Sequence, residues 1–127
     1  AKILASDIEG LQVISACSSG AKVPVSNIKY LASNKVFLLS IERTKTETGQ
    51  EDKNISSILR FDFISKVVSK NIDQSKPKVI LELLAIDYLK NNNDYEINLF
   101  FNILPNIDIH NLRLYCKNQL YKSIKKL

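Results

Sequence analysis

The sequence holds one histidine, two cysteines and three glycines in 127 residues. Each scarcity removes a class of chemistry. A lone His110 rules out any site built on a histidine pair. Together with Cys17 and Cys116 it still falls short of the four ligands a structural zinc takes. The cysteines follow no spacing motif, so they read as reduced, semi-buried thiols rather than as a disulfide framework. Gly10, Gly20 and Gly49 stand alone, so no glycine-rich loop cradles a phosphate and nucleotide chemistry loses its usual scaffold. A Cys–His nucleophile and base fails on geometry. His110 and Cys116 share the parity of one strand, but six residues of strand span about 20 Å. Cys17 falls on a helix face with Leu11 and Ile14, the pattern of packing. Apolar runs are far shorter than the ~20 residues needed to cross a bilayer. Asp7 and Glu9 interrupt the first segment before the apolar region of a signal peptide develops. The expectation is a cytoplasmic chain with no catalytic residue, no metal ligand and no cofactor.

A chain of 127 residues fits one domain, 1–127, able to bury a core without disulfides or metals. The net charge is +5 from 18 Lys and Arg against 13 Asp and Glu. Five of the 18 cations lie in residues 113–127, which carry no acid, so residues 1–112 balance at 13 against 13. The body has no general electrostatic claim on polyanions, and the excess is confined to NLRLYCKNQLYKSIKKL. The chain is also rich in Lys, Asn and Ile, a bias that AT-rich codon usage produces by itself.

Periodicity sets the elements. Lys2-Ile3-Leu4 is a short strand. Ser6-Asp7-Ile8-Glu9 has the form of a capping box, and a helix follows from about Asp7 to Cys17, stopped by Ser18-Ser19-Gly20. The period then falls to two. Val23, Val25, Ile28 and Tyr30 mark a strand broken at Ser26-Asn27, and Ser33-Asn34 turns it into a second strand, Lys35–Arg43. Thr44 to Asn54 is a polar loop. Ser57 to Lys70 alternates as one half-buried strand, and Val79 to Leu89 is apolar on both faces, the middle of a sheet. Asn91 to Asp94 turns into a strand with Tyr95, Ile97, Leu99 and Phe101 on one side and Glu96, Asn98 and Asn102 on the other. Ile107 to Cys116 is the last strand. Cys116, Leu120, Ile124 and Leu127 then fall on one helical stripe with the lysines off it, which predicts a C-terminal packing helix. Short connections force antiparallel pairing. The fold class is α+β, an antiparallel meander curled into a roll or half-barrel between an N-terminal and a C-terminal helix. The alternative is a pleckstrin-homology-like barrel of seven strands ending in a helix.

Ile3-Leu4-Ala5-Ser6-Asp7, Leu11-Gln12-Val13-Ile14-Ser15-Ala16, Phe61-Asp62 and Leu83-Leu84-Ala85-Ile86 occur in colinear order along the chain. In these blocks the sequence resembles an uncharacterised, largely alphaproteobacterial family, domain of unknown function 2948. The resemblance runs over essentially the whole chain and implies no activity, cofactor or partner, so no site residue is carried over. It departs at the C-terminal end, where similar proteins are acidic or mixed and this chain is basic.

Three groups of residues are candidates for chemistry. Arg60, Asp62 and Lys66 lie on one face of the expected strand and form a candidate binding face; the plain alternative is a solvated face with a weak ion pair. Glu82 and Asp87 interrupt an apolar strand, but their odd spacing puts them on opposite faces of a regular strand, which argues against a carboxylate dyad. Arg113, Lys117, Lys122, Lys125 and Lys126, with Tyr115 and Tyr121, are the candidate polyanion contacts of the tail. The favoured function is a non-enzymatic module that binds a protein or peptide on its sheet or a sheet edge. The alternative is weak binding of nucleic acid or another polyanion through the tail.

Overall fold

A computed structural model describes residues 3–5, 8–45, 53–91, 94–103, 108–117 and 124–126. They form one helix and ten strands: β1 (Ile3–Ala5), α1 (Ile8–Ser18), β2 (Lys22–Pro24), β3 (Ile28–Leu31), β4 (Val36–Lys45), β5 (Lys53–Phe61), β6 (Ile64–Lys70), β7 (Ile80–Asn91), β8 (Asp94–Ile103), β9 (Ile109–Lys117) and β10 (Ile124–Lys126). All ten join one antiparallel sheet in the order β1-β10-β5-β4-β2-β7-β8-β9-β6, with β3 paired to β4 off that path. The sheet curls until its flanks meet. The Ile64 N–H, at the start of the last strand in the order, donates to the Lys35 carbonyl at 2.8 Å. The Tyr30 hydroxyl donates to the Ile64 carbonyl at 2.8 Å. The result is a nearly closed barrel.

Its interior is built by period-two alternation. Phe37, Leu39 and Ile41 of β4, Leu59 and Phe61 of β5, Ile97, Leu99 and Phe101 of β8, and Leu112, Leu114 and Cys116 of β9 are all buried. Phe37 and Phe61 meet edge to face with centroids 6.0 Å apart. Helix α1 turns Leu11, Ile14 and Ser18 inward at spacings of three and four, and its other faces stay in solvent. It docks along β7. Ser15 Oγ accepts the Ile86 N–H at 2.8 Å, and the Ser19 hydroxyl donates to the Leu84 carbonyl at 3.1 Å. Gly20, at φ +84°, brings the chain out of the helix so that its N–H reaches the Leu83 carbonyl at 2.7 Å.

Several expectations are corrected. The strand expected over Ser57–Lys70 is two strands, β5 and β6, which lie far apart in the sheet order. Phe63 takes φ +62° and turns the corner between them, so it points into solvent at 43% exposure while Ile64 is buried. A bulky residue in the left-handed region is held there by its surroundings, not by its own preference. The expected C-terminal helix does not occur at Ile124–Lys126. These residues are a strand between β1 and β5, with Lys125 opposite Arg60 and Leu4; residues 118–123 lie outside the described residues. A sheet of ten strands that includes this terminal strand also departs from the pleckstrin-homology-like alternative of seven strands and a closing helix. The polar loop is shorter than expected, because β4 and β5 pair as far as Lys45 and Lys53; residues 46–52 lie outside the described residues. Cys17 is exposed and Cys116 buried, both as thiols, so the packing expected for Cys17 does not occur. The capping box at Ser6 falls at residues outside the described set.

Candidate functional site

The sequence candidates separate once the chain is folded. Arg60 Nε and Asp62 Oδ1 do meet, at 2.7 Å, with the Asp62 side chain 11% exposed and that of Arg60 42%. They brace the corner made by Phe63. Lys66 has left on β6, where its ammonium lies over the Tyr115 ring at 5.8 Å from the centroid. The expected Arg60–Asp62–Lys66 face is therefore two places. The tail cations divide as well. Arg113 and Lys117 belong to β9, Lys125 and Lys126 belong to β10, and Lys122 and Tyr121 lie outside the described residues. They do not form one helical arm.

What the fold assembles instead is the outer surface of β7, β8, β9 and β6. On β7 the register with β8 shifts between Leu83 and Ala85, an extra residue in the ladder. This bulge changes the parity of everything after it. Glu82 stands opposite Asn102 and Asp87 opposite Asn98, so both carboxylates share the outer face. The opposite-face expectation for this pair is overturned by that single inserted residue. Across the ladder Asn98 pairs with Arg113, Glu96 with Tyr115 and Phe100 with Asn111. Beyond them Tyr115 pairs with Lys66, Arg113 with Val68 and Asn111 with Lys70.

The face is polarised. Glu82 and Asp87 sit on β7, Glu96 on β8, Arg113 on β9, and Lys66 and Lys70 on β6. Arg113 Nε reaches Glu96 Oε1 only at 3.8 Å, with side chains 47% and 18% exposed, so this pair adds little stability. Asn98 and Asn102 are outward-facing by parity yet buried at 8% and 9% exposure. Asn102 Oδ1 accepts the Asp108 N–H at 2.7 Å, which pins the start of β9. Leu89 and Ile109, 56% and 52% exposed, lie at opposite corners. Cross-strand and along-strand spacings make the surface roughly 15 by 20 Å between its outer Cα atoms.

Two other places hold polar groups. His110 is 6% exposed in the interior row of Phe101 and Leu83; Nε2 lies 3.0 Å from Asp108 Oδ2. The approach is off-line for a hydrogen bond, and neither ring nitrogen has a hydrogen-bond partner among the described residues. Cys116 stands at the other end of β9, opposite Ile64 and Tyr95. In the turn after β6, Asp73 Oδ1 accepts the Ser75 N–H at 2.9 Å and the Ser75 hydroxyl, and these bonds hold its carboxyl below its ordinary pKa. Among the described residues no group of three or more His, Cys, Asp and Glu side chains is placed to hold a metal ion, and no helix is long and apolar enough to cross a membrane.

Glu96, Asn98 and Asn102 were legible as one face from their alternation. That Glu82 and Asp87 join them was not, because the bulge falls inside the apolar run Leu83-Leu84-Ala85-Ile86 and leaves no break in it. Against known proteins, residues 1–112 match the family model described as Protein of unknown function (DUF2948). The match ends one residue before Arg113, so the basic segment lies beyond it. No curated protein and no solved structure matches the chain.

Proposed function

Because the chain belongs to the DUF2948 family, whose description names no activity, we propose a function from the fold itself: a non-enzymatic module that docks a protein partner on the outer face of β7, β8, β9 and β6. The observation that carries this reading is the bulge at Leu83/Ala85, which gathers Glu82 and Asp87 onto the face that also holds Glu96, Arg113, Lys66 and Lys70. The complementary partner presents cations to β7 and carboxylates to β6. Such polarity sets orientation and encounter rate more than it adds affinity. The surface is smaller than the ~800 Å² per side of a standard interface, so the contact is a transient one. The Arg60–Asp62 pair is a brace for the β5–β6 corner in this reading, not a contact. A bacterial, cytoplasmic setting goes with the proposal and rests on the family resemblance and on the two thiols.

The test is affinity capture with the wild-type protein and with the K66E/K70E/R113E variant. A partner held through this face is lost from the variant and retained by a K29E control on β3. Recovery of only further copies of this chain, or of the same partner by both proteins, contradicts the reading. A second reading, weak polyanion binding, draws on Arg113, Lys66 and Lys70 beside the Tyr115 ring. It predicts oligonucleotide binding whose logarithm falls linearly with that of salt concentration and disappears in the same variant. Removing residues 117–127 would not be a clean probe, since it deletes the strand that joins β1 to β5.

A further inference from the structure

The end of the barrel near the turn after β6 is open to a recess of about 240 Å³. Its lining is apolar at depth, from Val25, Ile72, Leu81 and Ile103, with Val79 toward the mouth and Asn71, Asp73 and Lys76 around it. It adjoins a shallower depression of about 430 Å³ lined by Lys76, Pro77, Lys78 and Val79. Lys76 and Val79 line both, so the apolar recess and the depression with its basic rim stand side by side across a shared wall. The wall is preformed. The Val25 N–H donates to the Val79 carbonyl at 2.9 Å, and the Ser26 N–H donates to the Pro77 carbonyl at 3.1 Å. The Lys76 N–H returns to the Asp73 carbonyl at 3.1 Å, which closes the turn on itself.

We infer that this recess binds a small amphiphilic anion, with an apolar body in the barrel end and a carboxylate between Lys76 and Lys78. Size sets the class. A dry cavity of about 150 Å³ accepts a benzene ring, while drug-sized ligands occupy roughly 300–1,000 Å³. A volume of about 240 Å³ therefore suits one ring or a medium-length alkyl chain. Charge sets the head group. Asp73 is the one carboxylate in the lining, and it is committed to Ser75 within its own turn. Lys76 and Lys78 are exposed at the rim; Lys76 also attracts the Asp73 carboxylate, and with Lys78 beside it the rim carries two cations to that one carboxylate. The site is independent of the polarised sheet face.

Octanoate is the probe, with 1-octanol as the neutral chain of the same length. His110 lies one interior row below Leu81 and Ile103, and as the single histidine it gives one resolved imidazole signal for NMR. Octanoate is expected to shift that signal saturably, together with the methyl signals of Val25, Ile72, Val79, Leu81 and Ile103, and to bind more tightly than octanol. The K76E/K78E variant changes only exposed turn positions and is expected to weaken octanoate about tenfold while leaving octanol unchanged. A V79W variant, which fills the mouth, should abolish both. Three results would overturn the inference: no saturable shift at these methyls, equal affinity for octanol and octanoate, or unchanged octanoate binding in K76E/K78E.

Discussion

Replacing Ser15 with Ala tests how the helix closes the barrel. Ser15 Oγ accepts the Ile86 N–H at 2.8 Å, immediately after the β7 bulge. That N–H faces away from β8, so the hydroxyl is its partner in place of a neighbouring strand. Ile86 is 5% exposed, and a buried donor left without an acceptor costs about 1–3 kcal/mol. Alanine is the better helix former by about 0.5 kcal/mol, which offsets part of the loss. The net expectation is destabilisation by about 0.5–2.5 kcal/mol. For a chain of 127 residues unfolding entropy makes 1 kcal/mol worth about 4 °C in Tm, so Tm should fall by about 2–10 °C. Ser19→Ala is the matched control: its hydroxyl donates to the Leu84 carbonyl from an exposed position, where water replaces it, and the change should stay within about 0.5 kcal/mol. Urea unfolding gives the free energies, and hydrogen exchange at the Ile86 amide localises the effect. If Ser15→Ala is neutral, or if Ile86 exchange is unaltered, the helix is not anchored at the bulge as described.

Three further outcomes follow from the same packing. A double-mutant cycle on Arg60→Ala and Asp62→Ala should return a coupling of about 1–2 kcal/mol, between the values of exposed and fully buried pairs, because only the carboxylate is buried; a coupling near zero in urea unfolding would remove the brace from the β5–β6 corner. Phe61→Ala should cost about 3–5 kcal/mol, since its buried ring packs edge to face on Phe37, and a loss below about 1 kcal/mol would contradict that packing. Ser75→Ala removes the two bonds that lower the Asp73 pKa, so the carboxyl should titrate closer to its ordinary 3.8 in an NMR titration. The sign is set by linkage: a depressed carboxyl adds stability above its unfolded pKa and loses it as pH falls through the folded value, so the variant should lose less stability on acidification than the wild type.

The legible and the illegible parts of this fold differ in range. Helix α1 announces itself by Leu11 and Ile14 and by the stop at Gly20. The β7–β8 hairpin is marked by its asparagine-rich turn, and the two faces of β8 by strict alternation. These are local signals, carried within a few residues. The corner at Asp62-Phe63 has none, because an apolar Phe continues the alternation on paper while its φ of +62° breaks it in space. The bulge is hidden for a similar reason: one extra apolar residue among four changes parity without changing composition. Strand β10 has no local signal because its pairing is non-local. Ile124–Lys126 finds its partners in Phe61–Leu59 and Ala5–Ile3, and the helical stripe through Cys116, Leu120, Ile124 and Leu127 was a coincidence of spacing. The candidate site depends on both features. Alternation alone groups Lys66 with Arg60 across the corner at Phe63 and sets Glu82 apart from Asp87 across the bulge.

The proposed docking surface for a protein partner is the outer face of β7, β8, β9 and β6. A photocrosslinking residue is placed singly at Leu89 and Ile109, the exposed corners of that face, and at Lys29 on β3, outside it, with adducts identified by mass spectrometry. Docking there requires one partner protein captured from both corners, absent at Lys29, and lost from both when K66E/K70E/R113E is introduced. Capture that is equal at Lys29, or that survives the charge reversal, would contradict it.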